Sequence, residues 1–270
     1  MMNPRDLREY WDQQASIYGS DEGHRQFDRY LALFEEDCWR YIEPALPNVE
    51  TGVILEAGCG TGRWVKRLAP MGYRMALSDL SPEMIARARE KVERLGLSDC
   101  VTGYHILDIC DLHALKDASF DLVLALGGPL SLCRDASLAI REFLRVTRPG
   151  GYLVCDAANR FRTALELARE NRADQLASVL DTGRFHRRDG LIDQRFAPQE
   201  LKGLFAANGW ELVHLAGICP FFEFLPSSEQ VSILEDEQLF DAIRDAGLRY
   251  AEEPSMVSLS GRLLVAARRV

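Results

Sequence analysis

Residues 53–64 read Val-Ile-Leu-Glu-Ala-Gly-Cys-Gly-Thr-Gly-Arg-Trp, and this stretch constrains the fold more than any other. The short apolar run Val53-Ile54-Leu55 has the pattern of a strand buried on both faces. Glycines follow at 58, 60 and 62. Trp64, Val65, Leu68 and Ala69 are then spaced as one face of a helix. A strand that passes into a helix this tightly needs residues without a Cβ, both to reach positive φ and to let backbone approach a ligand. The helix start presents unpaired N–H groups and the positive end of a dipole. The unit predicts an α/β chain with a ligand at the turn; a glycine-rich turn with no ligand is the plain alternative. A dinucleotide turn reads G-x-G-x-x-G. Here Arg63 stands where that third glycine would be, and the G-K-[ST] of a phosphate loop is absent. Glu56 ends the strand, where a carboxylate suits a cationic ligand group better than a pyrophosphate.

The chain beyond this unit keeps alternating strand and helix, the order of a parallel sheet with right-handed crossovers. Tyr73 to Asp79 predicts a second strand that again ends in an acid, and Ser81 and Pro82 suit the cap and first turn of the next helix. Asp79 lies about 20 residues past the glycine turn, where doubly wound folds place an acid against a ribose. A helix-start acid stabilised by the dipole is the alternative. Further strands are expected at Cys100–Ile106, Phe120–Leu126, Tyr152–Asp156, Trp210–Leu215 and Gly261–Ala267. A helix over 134–147 turns Ala136, Ile140, Phe143 and Leu144 inward, and Pro149 stops it. Two helices precede the sheet, one over 5–18 and one carrying Phe27, Tyr30, Leu31, Phe34, Cys38, Tyr41 and Ile42. Loop residues 19–26 separate them.

Several segments, in order, carry a resemblance. Glu56 to Gly62 reads E-x-G-x-G-x-G. Trp11-Asp12, Ala15 and Tyr18 fit an F/W-D-x-x-A-x-x-Y opening. Asp108 and Ile109 follow the third strand. Phe120-Asp121-Leu122-Val123 leads to Gly127-Gly128-Pro129-Leu130-Ser131, and Arg145 to Gly151 closes a helix through Arg-Pro-Gly-Gly. Together they resemble the class I S-adenosylmethionine-dependent methyltransferases of the small-molecule type, closely over roughly 50–156 and loosely beyond. The resemblance implies a doubly wound, Rossmann-like seven-stranded α/β sheet, mostly parallel with an antiparallel last strand, carrying helical insertions. It implies S-adenosylmethionine as cofactor and S-adenosylhomocysteine as product. In that reading the glycine turn passes under the methionine portion and Glu56 acts on or through its amino group. Asp108, or alternatively Asp111, accepts from the adenine amino group with Ile109 against the ring. Tyr18 belongs to a lid; an ordinary amphipathic helix is its alternative. The implied cofactor set is Tyr18, Glu56, Ala57, Gly58, Gly60, Gly62, Asp79, Leu80, Met84, Asp108, Ile109 and Leu126.

The chain divides on this reading into a helical lid (1–48), a cofactor-binding half (49–156), a substrate-side insertion (157–195) and a C-terminal half (196–270) with a lid insertion at 217–258. The two insertions are expected to shape a substrate pocket. The 217–258 segment, with its aromatic run 221–224 between Pro220 and Pro226, serves equally as a dimer contact or packed hinge.

Net charge is −9 over 270 residues. That argues against broad contact with a nucleic-acid backbone, which needs clustered Lys and Arg. No apolar run has the length of a membrane span and the N-terminus lacks the core of a signal peptide. Seven scattered cysteines, with no C-x-x-C, read as free thiols of a cytoplasmic protein. No metal-ligand set is apparent. His24, His105, His113, His186 and His214 are the candidate bases; His24 and His186 alone sit where a substrate is expected, and no catalytic residue is assigned. The absence of [DNS]-P-P-[YFW] after the fourth strand separates the chain from amino-group methylases of nucleic-acid bases. The expectation is a methyltransferase for a small molecule, monomeric or homodimeric. An RNA or protein methyltransferase, or a non-catalytic module that keeps the cofactor, is the alternative.

Overall fold

The computed structural model describes residues 3–20, 25–223 and 225–270. Two helices, α1 (Pro4–Ser20) and α2 (Arg25–Ile42), precede the first strand. There follow β1 (Val53–Ala57), α3 (Val65–Leu68), β2 (Arg74–Asp79), α4 (Pro82–Arg94), β3 (Val101–Ile106), β4 (Phe120–Ala125), α5 (Pro129–Leu132), α6 (Ala136–Val146) and β5 (Thr147–Ala158). The second half holds α7 (Arg160–Arg169), α8 (Ala173–Thr182), β6 (Arg184–His186), β7 (Ile192–Gln194), α9 (Pro198–Ala207), β8 (Trp210–Ile218), α10 (Ser227–Glu235), α11 (Glu237–Tyr250), α12 (Pro254–Leu259) and β9 (Arg262–Arg269).

Seven strands form one sheet in the order β3-β2-β1-β4-β5-β9-β8. β1 to β5 pair in parallel, and β9 runs antiparallel to both β5 and β8. Successive strand residues face opposite sides, and here both sides are apolar. Ile54, Leu122, Val154 and Leu264 join one core beneath α2, α3 and α4. Leu55, Val123, Leu153 and Leu263 join the other, beneath α6 and α9. Strands buried on both faces explain the continuous apolar runs in the sequence. The strand order reverses between β1 and β4. In open α/β sheets the crevice at such a switch point, beyond the carboxyl ends of the strands, is where ligands bind.

The seven-stranded architecture with its antiparallel closing strand is as the resemblance implied. Several boundaries differ. Within the 157–195 insertion the helical stretch is two helices, because Asn171 adopts φ 55° and breaks the run between α7 and α8. The polar turn at Arg187 to Gly190 is the tip of the β6–β7 hairpin. Within the 217–258 segment α10 and α11 are divided at Asp236, which caps α11 through Leu239 N–H at 3.0 Å. On α6 the inward residues are Ala139, Ile140, Phe143 and Val146, with Ala136 and Leu144 at the margin. Phe224 and His24 lie outside the described residues.

Candidate active site

A cavity of about 420 Å³ opens at the switch point. The turn after β1 forms its floor. Cys59 N–H donates to Ser78 O at 2.9 Å, and Gly62 N–H to Cys59 O at 2.9 Å, which ties the turn to β2 and closes it on itself. Gly60 sits at φ 53° with nothing within 4 Å of where a Cβ would be, so its backbone faces open cavity. A Cβ on Gly58, at φ 67°, would stand 2.9 Å from Pro129, where the turn after β4 abuts this one. Both positions therefore require glycine, one for ligand access and one for contact between turns.

The Glu56 side chain is buried under this turn. Its Oε1 accepts from the N–H groups of Arg63 and Trp64, both at 3.1 Å, which occupies the donors of the helix start. Its Oε2 is buried with no partner among the described residues. A buried acceptor without a partner costs free energy, and an ammonium at this point would satisfy it. Burial pushes the Glu56 carboxyl up to about 7, against the N–H groups and the nearby Arg63 and Lys91, which pull it down.

Burial also pushes Asp37 up to about 7. Both groups then hold a proton in the folded chain at pH values where the unfolded chain has lost it. Their stabilising contribution is complete below the ordinary carboxylate range and is lost as pH rises through about 7. The ligand-free protein is expected to lose on the order of 2–3 kcal/mol of stability between pH 5 and 8 from Glu56 alone. Thermal unfolding across that range checks this. Glu56→Gln should flatten the dependence, and an unchanged slope would show that Glu56 titrates normally.

Asp79 ends β2 beside the turn. Its Oδ2 accepts from Gly60 N–H at 2.8 Å and its Oδ1 from Ser81 N–H at 2.9 Å. Burial raises its carboxyl above the usual range. Ser81 caps α4 by accepting from Met84 N–H at 3.0 Å, and its hydroxyl donates to Asp12 of α1. That bond fastens α1 to the cavity edge. Beyond β3, Asp108 accepts from Cys110 N–H at 2.8 Å and pairs with Arg134 at 3.4 Å, while Ile109 lies beside it on the wall. Asp111 pairs with His113 at 3.0 Å at the surface and does not reach the cavity.

Of the residues named from sequence, Tyr18, Glu56, Gly58, Gly60, Asp79, Leu80, Met84, Asp108, Ile109 and Leu126 line this one cavity. Ala57 and Gly62 stand off its wall. Ala57 is wholly buried in the sheet, and Gly62 packs the turn on α4, with its Cβ position 3.5 Å from Ala88. His105, His113, His186 and His214 do not line the cavity.

Sequence reasoning assigned 1–48 to a lid, with Tyr18 in it and Trp11 in its opening motif, but did not single out the rest of the opposite wall. Tyr30, Leu31 and Phe34 of α2 and Leu7, Trp11 and Ile17 of α1 form an apolar, aromatic side. Arg262, the first residue of β9, reaches it from more than a hundred residues downstream of the other polar wall residues. Its Nη1 donates to Asp156 Oδ2 at 2.5 Å. Asp156 Oδ1 accepts from Gly127 and Gly128 N–H at 2.7 and 2.9 Å. One signal was present: Asp156, like Glu56 and Asp79, is an acid near the carboxyl end of a core strand.

The two inserted segments were expected to shape the pocket. Among the described residues, none of 157–195 or 217–258 lines it. The N-terminal helices take that place, and the insertions brace them from behind. Tyr10 donates to Asp189 at 2.9 Å, Tyr30 to Glu223 at 3.1 Å, and Asp37 accepts from Cys219 N–H at 2.6 Å. No group of three or more His, Cys, Asp or Glu among the described residues is placed to hold a metal ion. No helix among them is long and apolar enough to cross a membrane.

Comparison with known proteins places this geometry. A family model described as a methyltransferase domain matches residues 55–155, from β1 to β5. The tRNA 5-carboxymethoxyuridine methyltransferase of Escherichia coli is 23% identical over 256 residues, covering 94% of this chain and 92% of that protein. The ubiquinone biosynthesis O-methyltransferase of Xanthomonas oryzae is 33% identical over 138 residues, 50% of this chain and 55% of its own. A crystal structure of an S-adenosylmethionine-dependent methyltransferase from Mesorhizobium loti superposes with a TM-score of 0.60 at 21% identity, covering 86% of this chain and 98% of that one. The unpartnered Glu56 oxygen, the open backbone at Gly60 and the acids at the ends of β2 and β3 fit that family's cofactor. Residues 55–155 therefore carry a methyltransferase domain, set in the fold of the class I S-adenosylmethionine-dependent methyltransferases.

Proposed function

We propose that the enzyme methylates an oxygen atom of a small molecule bound between the glycine turn and helices α1 and α2. The observation that carries this reading is the division of the cavity. One side carries the acids and glycines suited to the cofactor, and the other is apolar and aromatic, walled by α1 and α2. When bound, S-adenosylmethionine supplies an electrophilic methyl group, and transfer is an in-line displacement. Glu56 Oε2 would receive the cofactor's ammonium, Asp79 its ribose hydroxyls, and Asp108 with Ile109 its adenine. Gly60 lets the backbone approach closely, and Leu80, Met84 and Leu126 pack against it. Positioning of acceptor and methyl group, worth on the order of 7–11 kcal/mol in favourable systems, is the main contribution of the protein. Residues 1–48, with Tyr18 at the rim, act as the lid; 49–156 hold the cofactor; the segments 157–195 and 217–258 hold the lid in place. The Xanthomonas relative is an O-methyltransferase, which supports oxygen as the accepting atom.

A second reading rests on the Escherichia coli relative, whose match spans nearly the whole chain and whose name places its substrate in tRNA. The net charge of −9 weighs against it. Radiolabelled S-adenosylmethionine separates the two. Incubated with a cell extract split by size, the enzyme is expected to label the low-molecular-mass fraction. Label confined to nuclease-sensitive RNA would overturn the small-molecule reading, and absence of label in every fraction would count against both.

A further inference from the structure

Resting on that reading of the site, we propose that the acceptor is a carboxylic acid and that Arg262 is the residue that holds its carboxylate. Among the described residues that line the cavity, Arg262 is the charged side chain on the aromatic side that does not belong to the glycine turn. It is anchored at one end. Asp156, with its side chain wholly buried, takes one hydrogen bond from Nη1, and the guanidinium lies so close over the turn after β4 that a Cβ on Gly128 would stand 2.8 Å from Nη1. Nε and Nη2 make no hydrogen bond to any described residue. A planar guanidinium that lines a cavity, anchored through one nitrogen and with donors left over, can receive a carboxylate through paired N–H···O bonds.

The surroundings select among anions. Asp156 and Glu223 both act on Arg262 electrostatically, which weakens its attraction for any anion and most for a dianion such as a phosphate monoester, so a monoanion with paired hydrogen bonds fits better. Tyr30, its hydroxyl turned to Glu223, and Phe34, with Arg262 centred 5.9 Å from its ring, leave apolar surface for the body of the acceptor. Arg63 stacks on the same ring at 5.2 Å. Its backbone N–H is bound to Glu56, so it belongs to the glycine turn, whereas Arg262 is the guanidinium anchored by the buried Asp156.

The chemistry agrees with the groups present. A carboxylate arrives already deprotonated. One of its oxygens forms the new C–O bond while the C–S bond to the methyl group breaks and its electron pair stays on sulfur. The acid becomes a methyl ester, the sulfonium becomes a neutral thioether, and no proton is released. No general base is then required, in keeping with the four described histidines standing off the cavity.

The test uses the full chain saturated with S-adenosylhomocysteine. Benzoate, phenylacetate and hexanoate, each with its neutral primary amide, are titrated at up to 10 mM and followed by saturation-transfer NMR. At least one acid is expected to bind tenfold or more tightly than its amide. Arg262→Gln should abolish that preference while S-adenosylhomocysteine affinity stays within threefold. Arg262→Lys, which keeps the charge and loses the fork, should retain only part of it and serves if the glutamine variant is unstable. With radiolabelled S-adenosylmethionine, the label is expected in a product that mild alkali releases as methanol. No preference for any acid over its amide, or a preference that survives Arg262→Gln, overturns the proposal. So does an Arg262→Gln variant that loses S-adenosylhomocysteine instead, which would assign the guanidinium to the cofactor. If the wild-type chain does not bind S-adenosylhomocysteine at all, the failure lies with the cofactor site and not with Arg262.

Discussion

Asp79→Ala is expected to weaken S-adenosylmethionine binding at least a hundredfold in calorimetric titration. A carboxylate that accepts from two ribose hydroxyls makes two charge-assisted hydrogen bonds, each worth roughly 1.5–3 kcal/mol, and a hundredfold is only about 2.7 kcal/mol. Asp79 also has a duty without ligand: it accepts from Gly60 and Ser81 N–H and so holds the glycine turn against the start of α4. The alanine variant loses both. Asp79→Asn separates them, since its amide oxygen still accepts while its NH₂ faces one donor. It should bind with intermediate affinity and unfold closer to the wild type. An alanine variant that stays folded and binds within fivefold of wild type would remove Asp79 from the cofactor site.

Asp156→Ala should cost about 3–5 kcal/mol of stability, because two backbone N–H groups lose their acceptor at about 1–3 kcal/mol each and the partly exposed Arg262 loses its ion partner. The side chain is 0% exposed and all its bonds are internal. It accepts from Gly127 and Gly128 N–H, and it pairs with Arg262. Alanine leaves those two amides and a guanidinium without their acceptor, and the turn after β4 loses its anchor. For a chain of this size the midpoint of thermal unfolding should fall by roughly 10 °C. Asp156→Asn keeps an oxygen for the two amides and turns an NH₂ toward Arg262, so it should fall between. A shift under about 2 °C for the alanine variant would show that water replaces the carboxylate without cost.

Sequence pattern reached the parts of this structure that are local. β1, β2 and β4 are short apolar runs bounded by glycine, proline or acid. The turn at Gly58 to Gly62 announces itself by spacing, and Asp79 by its distance from that turn. What escaped is what depends on segments far apart in the chain. Nothing around Gly261-Arg262-Leu263 marks Arg262 as a cavity residue, because its place follows from β9 lying beside β5 and from Asp156 waiting there. Tyr30 and Phe34 carried the pattern of an amphipathic helix, and the same spacing serves a core or a cavity wall. The break between α7 and α8 was hidden because it rests on Asn171 at positive φ rather than on glycine or proline. The insertions were expected by length to shape the pocket, with 217–258 equally a dimer contact or packed hinge; their hydrogen bonds to Tyr10, Tyr30 and Asp37 fit the packed reading.

The placement of β9 between β5 and β8 has a consequence for synthesis on the ribosome. β8 joins the sheet only through β9, and β9 comes after it in the chain. Until residues 262–269 emerge, β5 and β8 are both bare edges that cannot pair with each other in their final places. At about 5–20 residues per second the interval from β5 to β9 is roughly 5–20 s. During that time an unpaired strand edge invites pairing with other chains. Arg262, at the leading end of the strand that closes the gap, would then reach Asp156 only as the sheet is completed, so the acceptor wall is assembled last.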